Sequence, residues 1–231
     1  MAKSTFPGYP ADTIPFLREL SNNNDRDWFA SQKTRYEATY IDPSIALMES
    51  LVTPMKRISP FLEVKPTKSR GSLLRIYRDT RFAKDKTPYK THIGMQFRHE
   101  AGCDIHAPGA YLHIQPGQTF LAAGIWHPDR DPLLWIRQKI AAEPREWKQI
   151  LQAKAFQAEF TMEGDSLTRP PKGFDTDHEA IEEIKRKDFI AVSPLQENAI
   201  TRSDFPELII KKLRLTNRLM MFLCEALELS Y

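Results

Sequence analysis

The sequence predicts an α+β fold in which helices at both ends of the chain pack on a central, mostly antiparallel sheet. Three observations carry this reading. Apolar residues recur at helical spacing through about the first sixty positions and again near the C-terminus. From residue 60 to 126 the texture changes to short apolar runs bounded by turn signals such as Pro108-Gly109 and Pro116-Gly117. Those runs leave no room for helices between them, and strands that follow one another so closely pair antiparallel.

The first helix is expected over residues 11–22, with Asp12 as N-cap and Phe16, Leu17 and Leu20 on one face. Asn22-Asn23-Asn24 stops it, because asparagine side chains compete for backbone hydrogen bonds. A second helix is expected over 25–40, with Asp25 and Asp27 at the positive end of its dipole. Asp42-Pro43 then restarts the chain as cap and first helical residue, and Ile45, Met48, Leu51, Val52, Met55 and Ile58 keep helical register.

Strands are expected at 61–65, 72–77, 92–98, 110–115 and 119–126. Asp131-Pro132 and Pro144 open two further helices, and 156–161 reads either as a helix end or as a strand. Thr176-Asp177-His178-Glu179 has the form of a capping box for a helix reaching Lys185. A strand near 188–193 is distant in sequence from the meander but able to join its edge. The last and longest helix is expected over about 203–228, with Lys211, Lys212, Arg214 and Arg218 on a solvated face.

A chain of 231 residues can bury a large core, and one domain over 1–231 is the simplest division. Hydrophobic content of 41% with 27% charged residues excludes disorder as the main state. No apolar run follows the charged start, and no stretch approaches the roughly 20 apolar residues of a membrane helix, so no membrane association and a cytoplasmic location are expected. Two cysteines, Cys103 and Cys224, are too few for a disulfide framework.

Charge is where the sequence points to function. A formal charge of +3 is too mild for a general nucleic-acid coat. Yet Arg75-Ile76-Tyr77-Arg78-Asp79-Thr80-Arg81-Phe82-Ala83-Lys84-Asp85-Lys86-Thr87-Pro88-Tyr89-Lys90 holds six basic residues against two acids, more surplus than the whole chain carries. A strand end followed by a loop can aim several cations at one point. Arginine forks suit phosphate or carboxylate, and lysines add less directional charge. The expected ligand-binding set is Arg75, Arg78, Asp79, Arg81, Lys84, Lys86, Tyr89 and Lys90, with Asp79 orienting an arginine and Tyr89 placed to wall a planar ligand. Internal ion pairing is the competing reading, but two carboxylates cannot neutralise six cations.

The expected ligand is a small phosphate- or carboxylate-bearing molecule; the alternative is nucleic acid or an acidic protein partner. No catalytic residue is identified, and whether the protein is an enzyme stays open. No cofactor and no metal are expected. His99, Cys103, His106 and His113 lie close in sequence, but their spacing fits no common zinc pattern and a step of seven reverses the face of a strand. A loop gathering His99, Cys103 and His106 is the form a metal site would take. Familiar nucleophile, P-loop and dinucleotide motifs are absent.

Four stretches together resemble a bacterial and fungal family catalogued as domain of unknown function 2461. They are Asn22-Asn23 with Asp27-Trp28-Phe29, the long motif of residues 75–90, Gly124-Ile125-Trp126 with Pro128, and Pro171-Lys172-Gly173-Phe174-Asp175. The similarity runs over about residues 6–227 and implies a single domain across nearly the whole chain. The family has no established activity, so the resemblance implies no catalytic residues. One departure is Ala83, where the family more usually has serine.

Overall fold

The computed structural model describes residues 6–103 and 107–231. The helical start forms as α1 (Thr13–Asn22), α2 (Arg26–Ser31), α3 (Lys33–Tyr36) and α4 (Asp42–Lys56). Asp25 caps α2 by accepting the Trp28 N–H at 2.8 Å. Asp12, by contrast, makes no cap bond and instead accepts two hydrogen bonds from Arg35, at 2.6 and 2.7 Å.

Asp42-Pro43 does not restart the chain. A π-helical turn, Glu37–Ile41, joins α3 directly to α4. Pro43 has no N–H to give the Thr39 carbonyl four residues back, and that carbonyl instead accepts the buried Thr13 hydroxyl at 2.8 Å. The first helix thus supplies the hydrogen bond that proline withholds, and the helix runs on.

The sheet is antiparallel throughout, in the order β1-β2-β3-β5-β4. Its strands are β1 (Ile93–Arg98), β2 (Gly109–Ile114), β3 (Phe120–Ile125), β4 (Thr161–Glu163) and β5 (Phe189–Pro194). The α+β class and the late strand that joins the meander are as expected. The sheet begins at Ile93, however, and not near residue 60. The runs at 61–65 and 72–77 make isolated bridges and no strand, Leu62 to His99 and Leu73 to Met95 on the β1 edge and Tyr77 to Tyr89 beyond it. Leu74 N–H reaches the Gly94 carbonyl at 2.9 Å and Gln96 N–H reaches Ser72 at 2.8 Å; the chain then leaves β1 to pair with itself. These segments cover the free edge of β1 without extending it.

Side-chain alternation divides the sheet. Met95, Leu112, Leu121 and Ala191 face the helices and are buried. Helices α5 (Arg130–Ala142), α6 (Pro144–Leu151), α9 (Phe205–Leu215) and α10 (Asn217–Ala226) complete that layer, with short α7 (Lys154–Gln157) and α8 (Ile181–Ile184) beside them. At the close approach of β3 to β5, Gly124 has φ +133°, and a Cβ there would lie 2.0 Å from the Phe189 carbonyl oxygen.

Three other expectations change. The C-terminal helix breaks at Thr216, whose hydroxyl donates to the Leu213 carbonyl at 2.8 Å and competes with the helical ladder. The capping box yields only the single turn of α8, because Asp175 and His178 accept the Asp177 and Ala180 N–H groups in local turns. Lys212 is 8% exposed rather than solvated: its ammonium binds Glu159 and donates to the Ser193 hydroxyl at 2.8 Å. Among the described residues no helix is long and apolar enough to cross a membrane.

Candidate functional site

Residues 75–90 form a short hairpin. Its arms meet at the Tyr77–Tyr89 bridge, with Arg78 N–H to the Pro88 carbonyl at 2.9 Å and Lys90 N–H to Ile76 at 2.7 Å. One side chain fastens this hairpin to the helices. Asn24 accepts the Tyr89 N–H at 3.0 Å and donates to the Tyr89 carbonyl at 2.9 Å, satisfying both backbone groups of a residue that is 5% exposed. The Tyr89 ring stacks on Phe29 of α2, centroids 4.1 Å apart, and the Tyr77 ring centroid lies 5.4 Å from it, tilted 50°.

Between hairpin and helix lies a cleft of about 400 Å³ lined by Arg26, Phe29, Ala30, Lys33, Tyr77, Arg78, Thr80, Pro88 and Tyr89. The helical contribution has the spacing i, i+3, i+4, i+7, so its four residues share one face. The lining holds three cations and no carboxylate. Arg26 and Lys33 are exposed and have no hydrogen-bond or ion-pair partner among the described residues. Arg78 is partly committed: one Nη1 donates to Asp85 at 2.5 Å and to the Thr87 hydroxyl. Its other nitrogens have no partner among the described residues.

The structure separates the residues expected to act together. Arg78 and Tyr89 line the cleft, Tyr89 as its packed wall. Arg81 grips Asp79 outside it, Nε to Oδ1 at 3.0 Å and Nη2 to Oδ2 at 2.7 Å. Those bonds, with the Arg81 backbone N–H and the field of Arg75, hold the Asp79 carboxyl below the usual range. Lys86 donates to the Thr80 carbonyl at 2.8 Å and Lys90 to the Arg75 carbonyl at 3.0 Å, so both tie the hairpin together. Arg75 and Lys84 project from the exposed surface. Asp85 is pulled down to about 2, first by the Thr87 N–H and then by Arg78. Neither acid has the environment of a proton donor.

Arg26, Lys33 and Phe29 are missing from the expected set. Two cations seven residues apart, bracketing Phe29 and Ala30, were the available signal. Among the histidines, His99 Nδ1 accepts the Ala101 N–H at 3.1 Å, so Nε2 donates to the Ser230 carbonyl at 2.7 Å. His113 joins Tyr111 at 3.1 Å and Gln115 at 2.9 Å. Both rings are thereby occupied with protein partners. The convergence of His99, Cys103 and His106 involves a histidine outside the described residues.

The geometry defines a class of protein: an α+β fold with a basic, aromatic-walled cleft between a helix and a hairpin. Residues 12–222 match the family described as conserved hypothetical protein (DUF2461), and the chain belongs to that family. No curated protein and no solved structure matches it.

Proposed function

We propose that this protein binds a small anionic ligand, phosphate- or carboxylate-bearing, in the cleft between α2 and the 75–90 hairpin. The observation that carries this reading is the meeting of Arg26, Lys33 and Arg78 at one cleft without a carboxylate in its wall. An arginine held by Asp85 and Thr87 presents a fixed fork, while Arg26 and Lys33 add charge from the facing helix. Thr80 supplies a hydroxyl for a remaining acceptor. The acids of the hairpin serve its shape, so the positive surplus falls to the helix side of the cleft.

Differential scanning fluorimetry with inorganic phosphate and pyrophosphate tests this. Stabilisation of the parent protein should persist in Arg81→Ala/Lys84→Ala and disappear in Arg26→Ala/Lys33→Ala, whose exposed side chains have no hydrogen-bond or ion-pair partner among the described residues. Each lost cation contributes about 1 kcal/mol in a wet cleft. The reverse ranking of the two double variants would move the site to the outer rim of the hairpin.

A second reading has one observation in its favour. Phe82 is 95% exposed beside Arg81, whose guanidinium lies 5.9 Å from the ring centroid. An exposed aromatic among cations suits an acidic macromolecular partner, nucleic acid or protein, and that binding would weaken steeply with salt.

A further inference from the structure

The cleft is more than a charge cluster, because one of its walls is an aromatic ring left open. Phe29, Tyr89 and Tyr77 form a ladder, with Phe29 and Tyr89 buried and Tyr77 at its outer end 54% exposed. Packing fixes the inner rings. Among the described residues the outer one has one ring contact, with Tyr89 tilted 50° to it, and Tyr77 is part of the cleft lining. A volume of about 400 Å³ lies within the range of sites for drug-sized molecules and exceeds what a bare inorganic anion needs.

We propose that the ligand is a phosphomonoester bearing an aromatic or heteroaromatic ring, its ring stacked on Tyr77 and its phosphate held by Arg26, Lys33 and Arg78. This rests on the anion-binding reading above and adds to it the second half of the ligand. Tyrosine offers a π-face to any flat ring, and stacking of a base on an aromatic side chain contributes about 1–3 kcal/mol by alanine substitution. The cations stand around the same cleft, so one molecule with a short spacer between ring and phosphate meets both. Pro88 and Ala30 add apolar contact without competing polar groups.

Adenosine 5′-monophosphate and ribose 5-phosphate differ only in the base, which makes them the pair to compare by calorimetric titration, with inorganic phosphate beside them. The parent protein should prefer the nucleotide by about 5- to 150-fold, the fold-change equivalent of that stacking contribution. Tyr77→Ala should erase the preference for the nucleotide over ribose 5-phosphate, and Tyr77→Phe should keep it. Equal binding of the two compounds, or a preference that survives Tyr77→Ala, overturns the ring site and leaves the anion site standing. Absence of binding by all three compounds overturns both. Circular dichroism of Tyr77→Ala separates lost stacking from lost fold, and the Phe variant decides the matter if the Ala variant unfolds.

Discussion

Asn24 is the side chain on which the cleft depends, although it touches no ligand group. Replacing it with alanine removes two hydrogen bonds to Tyr89, at 2.9 and 3.0 Å, and leaves a buried residue's N–H and carbonyl without their partner. A net hydrogen bond contributes about 1 kcal/mol, and an orphaned buried group costs about 1–3 kcal/mol. Some relaxation toward water reduces the sum, so the expected loss is about 2 kcal/mol. For a chain of this size that is a fall in Tm of roughly 4–8 °C. Urea unfolding of the parent and Asn24→Ala measures it directly. Binding of phosphate compounds should weaken as well, because Arg26 and Lys33 on the helix lose their fixed distance from Arg78 on the hairpin. Asn24→Asp sharpens the test: it retains the acceptor for the Tyr89 N–H but sets a carboxylate against the Tyr89 carbonyl, and should be at least as destabilising. A loss below about 0.5 kcal/mol in both variants would refute the idea that this clamp joins helix to hairpin.

Thr13→Val should cost about 1–2 kcal/mol in urea unfolding, since it leaves the Thr39 carbonyl opposite Pro43 without a donor; combining it with Pro43→Ala should recover part of that loss. Asp188 is 1% exposed and accepts the His127 and Asp165 N–H groups at 2.7 and 2.9 Å, so Asp188→Ala should cost about 3 kcal/mol or more, read as a lower denaturation midpoint. His92 is held down to about 4 by burial, then by His113 and by Lys90. Its folded pKa lies below the unfolded value of 6.5, so its contribution is present above pH 6.5 and is lost as pH falls through about 4; His92→Gln should shift the acid-unfolding midpoint to lower pH. Asp85 behaves likewise in a lower window, and exchange protection of the Thr87 amide should persist to about pH 4 and fade toward pH 2.

Much of the fold was legible because its signals are local. Short apolar runs separated by turn signals such as Pro108-Gly109 and Pro116-Gly117 located β1, β2 and β3, and helical spacing located α1, α4 and α9. What stayed hidden depends on distant partners. Nothing near Pro43 announces that Thr13 will supply the missing donor. The apolar run at 72–77 has a strand's composition, yet Lys90 N–H and Nζ draw its last residues away from β1. Lys212 sits in a basic run that suits a solvated face, and only the approach of Glu159 and Ser193 buries it.

The same limit explains the candidate site. Counting charge along the chain located the hairpin but treated its cations as one group, whereas the hairpin's geometry assigns them separate duties. Asp79 holds Arg81, Asp85 fixes Arg78, and Lys86 and Lys90 donate to carbonyl oxygens of their own loop. Those bonds commit Arg81, Lys86 and Lys90 to the loop's shape, Arg75 and Lys84 lie on the exposed surface, and of the six cations Arg78 alone lines the cleft. The complementary charge arrives from Arg26 of α2 and Lys33 of α3, which have no ion-pair partner among the described residues and share the cleft with no carboxylate. Tyr89 makes this division work: held at its backbone by Asn24 and on its ring by Phe29, it sets the distance between the two cationic walls. Trimming its ring in Tyr89→Leu should therefore reduce anion binding more than removing Lys84, Lys86 or Arg81 outright, although Tyr89 carries no charge to offer.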